Sequence, residues 1–208
     1  MDEVQSGLGR TGKLWAFEHA GITPDMVIIG KGLSGGIYPI AATVIREPLD
    51  AIFKRDPFIH ISTYGGSELG CRVGKKVLQI SSDPVFLERV QEAGLKVREG
   101  LDKIHQKYPK FFTGIRQTGL MIGLKLRDEY GGPALTKAAY DEDLLMIYAN
   151  NDTSVSQFLP PLTITDEEID LVMEKLDIAM NAARKLRLAL MAKEKGSAFL
   201  KFFSGKDD

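Results

Sequence analysis

The chain has 208 residues, 44% hydrophobic and 26% charged, with a formal net charge of -1. That balance describes an ordinary soluble globular protein of one or two domains, and it excludes the electrostatic footprint of a nucleic-acid or membrane partner. One cysteine, Cys71, excludes an internal disulfide. With no apolar signal segment and no run approaching a membrane span, the expected location is cytoplasmic.

In chain order, residues 1–66 alternate short apolar runs with glycine-rich turns, as strands of an open α/β sheet do. The runs are Val27-Ile28-Ile29 and Ala41-Ala42-Thr43-Val44-Ile45. Glu68 to Ile80 is predicted helical. Ser82-Asp83-Pro84 combines a capping side chain with proline in the first turn, a helix start. Beyond it Phe86, Val90, Ala93, Val97, Leu101 and Ile104 keep helical spacing, which Gly94 and Gly100 weaken without abolishing. Strands are predicted around Thr113–Arg116 and Leu120–Leu126, then a helix near Pro133–Asp143. The run Leu144-Leu145-Met146-Ile147-Tyr148 reads as a buried strand by composition. Thr165-Asp166-Glu167-Glu168 is a capping box ahead of Ile169, Val172, Met173, Leu176 and Met180. Lys193-Glu194-Lys195-Gly196 is expected to break this helix. Phe199, Phe202 and Phe203 beyond it either dock on a surface or belong to a frayed end.

The chemistry centres on Lys31. It follows an apolar strand and is flanked by glycine in Gly30-Lys31-Gly32-Leu33-Ser34-Gly35-Gly36. A lysine leaving a buried strand into such a turn is expected to be partly desolvated, which frees its lone pair for attack on a carbonyl. A surface lysine in a flexible loop is the competing reading. Asp2 and Val4, two apart on an extended chain, face one side. There a carboxylate can pair with a ring nitrogen while the branched side chain covers the ring. His60-Ile61-Ser62-Thr63-Tyr64-Gly65-Gly66 is a hydroxyl-rich turn ahead of a predicted helix, suited to a phosphate contact. Acid, amine and hydroxyl turn together match what pyridoxal phosphate needs.

Other motifs carry less. Gly7-Leu8-Gly9-Arg10-Thr11-Gly12 spells the dinucleotide pattern G-x-G-x-x-G, but no complete strand precedes it within the chain. Gly30-Lys31 is not a P-loop, because Gly32 stands where a magnesium-binding hydroxyl is required. His19, His60 and His105 are far apart, so no metal site is expected. Asp141-Glu142-Asp143 and Asp166-Glu167 read as solvated or helix-cap charges, and Arg10 as a residue that fixes its glycine turn.

The segments from Asp2 to Gly12, Pro24-Asp25 with Ile29 to Gly36, and Ser62 to Gly66 resemble class III (ornithine/acetylornithine-type) aminotransferases. Gly119-Leu120-Met121-Ile122-Gly123 and Leu159-Pro160-Pro161-Leu162 follow in the family's order. The resemblance spans roughly residues 2 to 183. It implies a fold-type I, α/β architecture: residues 1–80 as the C-terminal part of the cofactor-binding large domain, 81–190 as a small α+β domain, and 191–208 as a tail. It implies pyridoxal phosphate as cofactor, transfer of an amino group from an amine or amino acid to a 2-oxo acid, and a homodimeric parent enzyme. Lys31 would bond to the cofactor and move the proton, and Asp2 would keep the pyridine nitrogen protonated. Val4 would pack on the ring, Gln5 would bond its phenolic oxygen, and Thr63 would reach the cofactor phosphate of the neighbouring subunit.

The sequence departs from that family twice. Its members are much longer, and the portion before Asp2 normally supplies the glycine-rich phosphate loop and the aromatic that stacks on the ring, so the chain reads as a C-terminal half. A non-catalytic fragment, or another pyridoxal-phosphate reaction on the same scaffold, stays open. Gln157 stands where many relatives carry an arginine for the substrate α-carboxylate, and an amide lacks a guanidinium's charged fork. Either Arg116 or the absent half reads that carboxylate, or the donor is a diamine or ω-amino acid, the reading preferred.

Overall fold

The computed structural model describes the backbone of residues 1–204 and the side chains of residues 1–193. Phe199, Phe202 and Phe203, and any docking by them, lie outside the described side chains. Two compact units form, one of Met1–Glu92 and a second that begins at Ala93.

The first unit grows from two short apolar strands. β1 (Met26–Ile29) and β2 (Ala42–Ile45) pair antiparallel, Val27 opposite Val44 and Ile29 opposite Ala42. The segment at Asp2 joins the other edge of β1 as a parallel bridge to Ile28. Ile28 donates its N–H to the carbonyl of Met1 at 2.9 Å, and Glu3 donates to the carbonyl of Ile28 at 2.8 Å. Strand alternation sends Val27 and Ile29 inward, onto a cluster of Leu8, Leu33, Trp15, Ile40, Val77 and Leu78. Met26 and Ile28 face outward and remain about half exposed. Short 3-10 turns cover Ala16–Ala20, Lys31–Ser34 and Glu47–Asp50. Helix α1 (Ala51–Arg55) is brief. Helix α2 (Glu68–Ser81) runs one residue past its predicted end at Ile80, and Ser67 caps it by accepting the Gly70 N–H. Helix α3 (Pro84–Lys107) starts at the expected proline, with Asp83 accepting the N–H of Val85 at 2.9 Å.

The second unit is a four-stranded antiparallel sheet in the order β3-β4-β6-β5. Its strands are β3 (Phe112–Thr118), β4 (Met121–Leu126), β5 (Ile147–Ala149) and β6 (Asp152–Phe158). Alternation buries Ile122, Leu124 and Leu126 on one face of β4, and Ser154, Ser156 and Phe158 on the same side of β6. Helices α4 (Gly131–Asp141) and α5 (Asp166–Ser204) complete the unit. The capping box is formed: Glu168 accepts the Thr165 N–H at 2.8 Å, and Thr165 Oγ accepts the Glu168 N–H at 3.2 Å. The glycines of α3 sit where the helix is tightly packed. A β-carbon on Gly94 would stand 3.0 Å from the carbonyl oxygen of Gly119, and one on Gly100 only 2.5 Å from Met173. Among the described residues no helix is long and apolar enough to cross a membrane.

Two elements differ from expectation. Of the run Leu144–Tyr148, only Ile147 and Tyr148 enter a strand, the edge strand β5, and Leu145 is 96% exposed. The residues before it turn out from the end of α4 through Asp143, whose φ is 58°. Apolar composition alone does not separate such a turn from a strand. The backbone of α5 passes through Gly196 without the expected break. One glycine costs about 1 kcal/mol in a helix interior, little against cooperative propagation over a long helix.

Candidate functional site

Parallel pairing dictates what meets what. With Asp2 opposite Ile28, the residue two further on each strand sets Val4 beside Gly30, one position before Lys31. The contact is made: a β-carbon on Gly30 would lie 3.5 Å from one Val4 methyl and 3.6 Å from the other. Gly30, itself buried, thus lets Val4 pack directly on the backbone that leads into Lys31. Asp2 Oδ1 accepts the N–H of Val4 at 2.9 Å, which fixes the carboxylate against the start of the turn. The fold brings Asp2, Val4 and Lys31 onto neighbouring stretches of backbone, and Gln5 follows directly after Val4.

Lys31 opens the 3-10 turn Lys31–Ser34 with φ at 45°, in the left-handed region, after an extended Gly30. Its side chain is exposed in this chain rather than desolvated, a correction to the sequence expectation. Leu33, not Lys31, turns into the core. Thr63 is exposed on the segment between α1 and α2, where Ser62 Oγ accepts the N–H of Gly65 at 2.9 Å. No hydrogen bond or ion pair joins it to the Asp2–Lys31 region among the described residues. Gln157 lies on β6 in the second unit, opposite Gly123 of β4 and Ile147 of β5, and Gly123 in turn faces Arg116 of β3. Arg116, Gly123 and Gln157 therefore form one cross-strand row.

The glycine-rich turn after Val4 has a local structural use. Trp15 lies so close to Gly7 that a β-carbon there would stand 2.9 Å from its ring. No helix opens at Gly12; the next element is the 3-10 turn at Ala16. Arg10 is half-buried in this loop, and burial pushes its guanidinium down from its ordinary value. A cavity of about 470 Å³ beside Leu33, Cys71, Gly74 and Leu78 includes neither Asp2 nor Lys31. Among the described residues no group of His, Cys, Asp and Glu is placed to hold a metal ion.

Sequence reasoning missed Glu3. It is only 1% exposed, and both carboxylate oxygens act as acceptors. They take the Ser6 hydroxyl at 2.7 Å, the Ala16 N–H at 3.1 Å and the Phe17 N–H at 2.9 Å. The signal was available: if Asp2 and Val4 share one side of an extended chain, Glu3 points to the other, the core.

A carboxylate, an aliphatic side chain and a primary amine on adjoining backbone suit a flat heteroaromatic aldehyde at its ring end. The comparisons agree. Residues 1–180 match the family model for aminotransferase class-III, and the chain belongs to that family. It is 51% identical over 187 residues to a protein of Archaeoglobus fulgidus described as an uncharacterized aminotransferase, covering 90% of this chain and 44% of that protein. It is 41% identical over 184 residues to the acetylornithine aminotransferase of Caldanaerobacter subterraneus, covering 88% and 45%. Among solved structures, the ornithine aminotransferase of Toxoplasma gondii superposes with a TM-score of 0.79 at 29% identity, over 89% of this chain and 43% of that one. That crystal held pyridoxal phosphate at partial occupancy in its active site. The N-acetylornithine aminotransferase of Stenotrophomonas maltophilia gives 0.74 at 31% identity, over 87% and 46%. The chain spans less than half the length of these relatives, and over that stretch its α/β fold is theirs.

Proposed function

We propose that this chain supplies the lysine-bearing half of a pyridoxal-phosphate-dependent aminotransferase, which moves an amino group from an amine or amino acid to a 2-oxo acid. The parallel register that lays the Asp2 segment beside Gly30-Lys31 carries this reading. When bound, pyridoxal phosphate supplies an aldehyde that condenses with amines and a ring that accepts the electron pair of a broken C–H bond. Asp2 would hold the proton at the ring nitrogen. Val4 would cover one ring face and exclude water there. Gln5 would bond the phenolic oxygen. Lys31 would hold the aldehyde carbon, and its Nζ, when free, would be the base that takes and returns the proton at the donor carbon.

In this reading the parent is a cytoplasmic homodimer and Thr63 reaches the phosphate from the neighbouring subunit; the exposed free thiol of Cys71 suits such a reducing setting. Gln157 in place of a guanidinium favours a diamine or ω-amino acid as donor. The short span also favours a second reading, in which the chain by itself is non-catalytic and works only beside the portion its relatives possess.

The test is borohydride reduction of the chain with pyridoxal phosphate, followed by peptide mapping. Label concentrated on Lys31 is the expected result. Label scattered over many lysines, or none, would overturn the claim that this half holds a preformed site.

A further inference from the structure

We infer that Glu3 is a positioning residue for Asp2, a role that rests on the cofactor reading of Asp2 above. Every polar group of Glu3 is engaged. Its N–H donates to the carbonyl of Ile28 on β1 at 2.8 Å, and its carbonyl accepts the N–H of Gly7 at 3.1 Å. Its carboxylate gathers the Ser6 hydroxyl and the N–H groups of Ala16 and Phe17. Those two amides open the 3-10 turn Ala16–Ala20 and have no partner earlier in that turn. Glu3 thereby closes a loop of thirteen residues onto the strand that carries Asp2. Because the carboxylate is buried, its loss leaves donors unmet in the core, a cost beyond that of a surface cap.

The consequence for the site is geometric. Asp2 and Val4 flank Glu3, and the Asp2 carboxylate is itself tied to the N–H of Val4 at 2.9 Å. Anchoring Glu3 on both its backbone and its side chain holds that short segment in register with β1. Without the anchor, Asp2 loses its fixed position relative to Gly30 and Lys31. Glutamine at position 3 does not substitute, since one carboxylate oxygen becomes an NH₂ group that faces N–H donors.

The experiment compares amide exchange by NMR in the wild-type chain, Glu3→Gln and Ser6→Ala. Val4, Ala16 and Phe17 are expected to exchange at least about tenfold faster in Glu3→Gln, with amides of the second unit unchanged. Faster exchange at Ala16 and Phe17 with an unchanged Val4 amide would overturn the inference and leave Glu3 as a turn cap. Ser6→Ala keeps the carboxylate and removes one of its donors, along with the 3.4 Å contact of the same hydroxyl to the Asp2 carbonyl, so it decides the matter if Glu3→Gln does not fold: acceleration at Val4 together with Ala16 and Phe17 supports the role, and acceleration at Val4 alone, or none there, refutes it. A spectroscopic signature adds to this. Bound pyridoxal phosphate in Glu3→Gln is expected to absorb as it does in Asp2→Asn, and a wild-type-like band would count against positioning. The exchange measurements need no cofactor, so a wild-type chain that fails to take label on Lys31 would sink the cofactor reading without deciding the role of Glu3.

Discussion

Val4 and Gly30 meet across the parallel pairing of the Asp2 segment with β1, and a β-carbon on Gly30 would stand 3.5 Å from a Val4 methyl. That is ordinary van der Waals contact, and the φ of Gly30 is -165°, extended backbone open to any residue. Glycine is thus not demanded here by strain; it is buried, and it lets Val4 and Ala41 pack directly on the backbone that leads into Lys31. Gly30→Ala is expected to change unfolding free energy by less than about 1 kcal/mol, within the usual range for a substitution that neither clashes nor leaves a cavity. Gly30→Leu must push Val4 and Ala41 aside, and labelling of Lys31 by pyridoxal phosphate should fall about tenfold. Equal labelling of the leucine variant would show that the packing of Val4 on Gly30 does not shape the site around Lys31.

Lys31 itself holds a conformation that L-residues avoid, with φ at 45°. The left-handed region costs about 1–2 kcal/mol for a residue with a β-carbon. Glycine avoids that cost and gives back about 0.5–1 kcal/mol in unfolded-chain entropy. Lys31→Gly is therefore expected to be more stable than Lys31→Ala by up to about 1 kcal/mol, although neither retains the amine. Paired chemical denaturation of the two variants checks this. An alanine variant as stable as the glycine one would mean that the turn carries no strain at position 31. Strain kept at the residue proposed to carry the chemistry is a pattern of functional sites.

How much of this was legible beforehand depended on whether the signal was local. The box at Thr165–Glu168, the start at Asp83-Pro84 and the apolar strand around Leu120–Leu126 are short-range patterns, and each formed as read. Lys31, Asp2 and Val4 were legible as residue types, and the pairing of Asp2 with Ile28 supplies the adjacency that types alone lack. The alternation that puts Glu3 on the core side was readable, but its partners Ala16 and Phe17 lie thirteen and fourteen residues away, a separation no motif encodes. The exposure of Leu145 was hidden for a similar reason, since which side of a short apolar run is covered depends on what packs there. The partial desolvation expected of Lys31 went unmet on the same ground, its side chain being exposed in this chain.

In the second unit, Asp152 opens β6 and is bound by Lys125 of β4, whose Nζ lies 2.8 Å from Oδ2, while Ser154 joins both partners. The hydrogen bond from Lys125, then that from Ser154, holds the Asp152 carboxyl down at about 2. The sign of the linkage follows. A carboxyl whose folded value lies below its unfolded value stabilises the fold at any pH above the unfolded value, about 4. That stability is lost as pH falls from about 4 through about 2, where the folded group takes up its proton. Unfolding midpoints should therefore drop over this interval in part because of Asp152. Lys125→Met removes the principal donor, so its midpoint should lie below wild type at pH 5 and approach it by pH 2. Denaturant titrations of both proteins at pH 5, 4, 3 and 2 measure the difference. A gap that stays constant across the four values would mean that Lys125 stabilises the sheet by the packing of its stem alone, with no contribution from the ion pair.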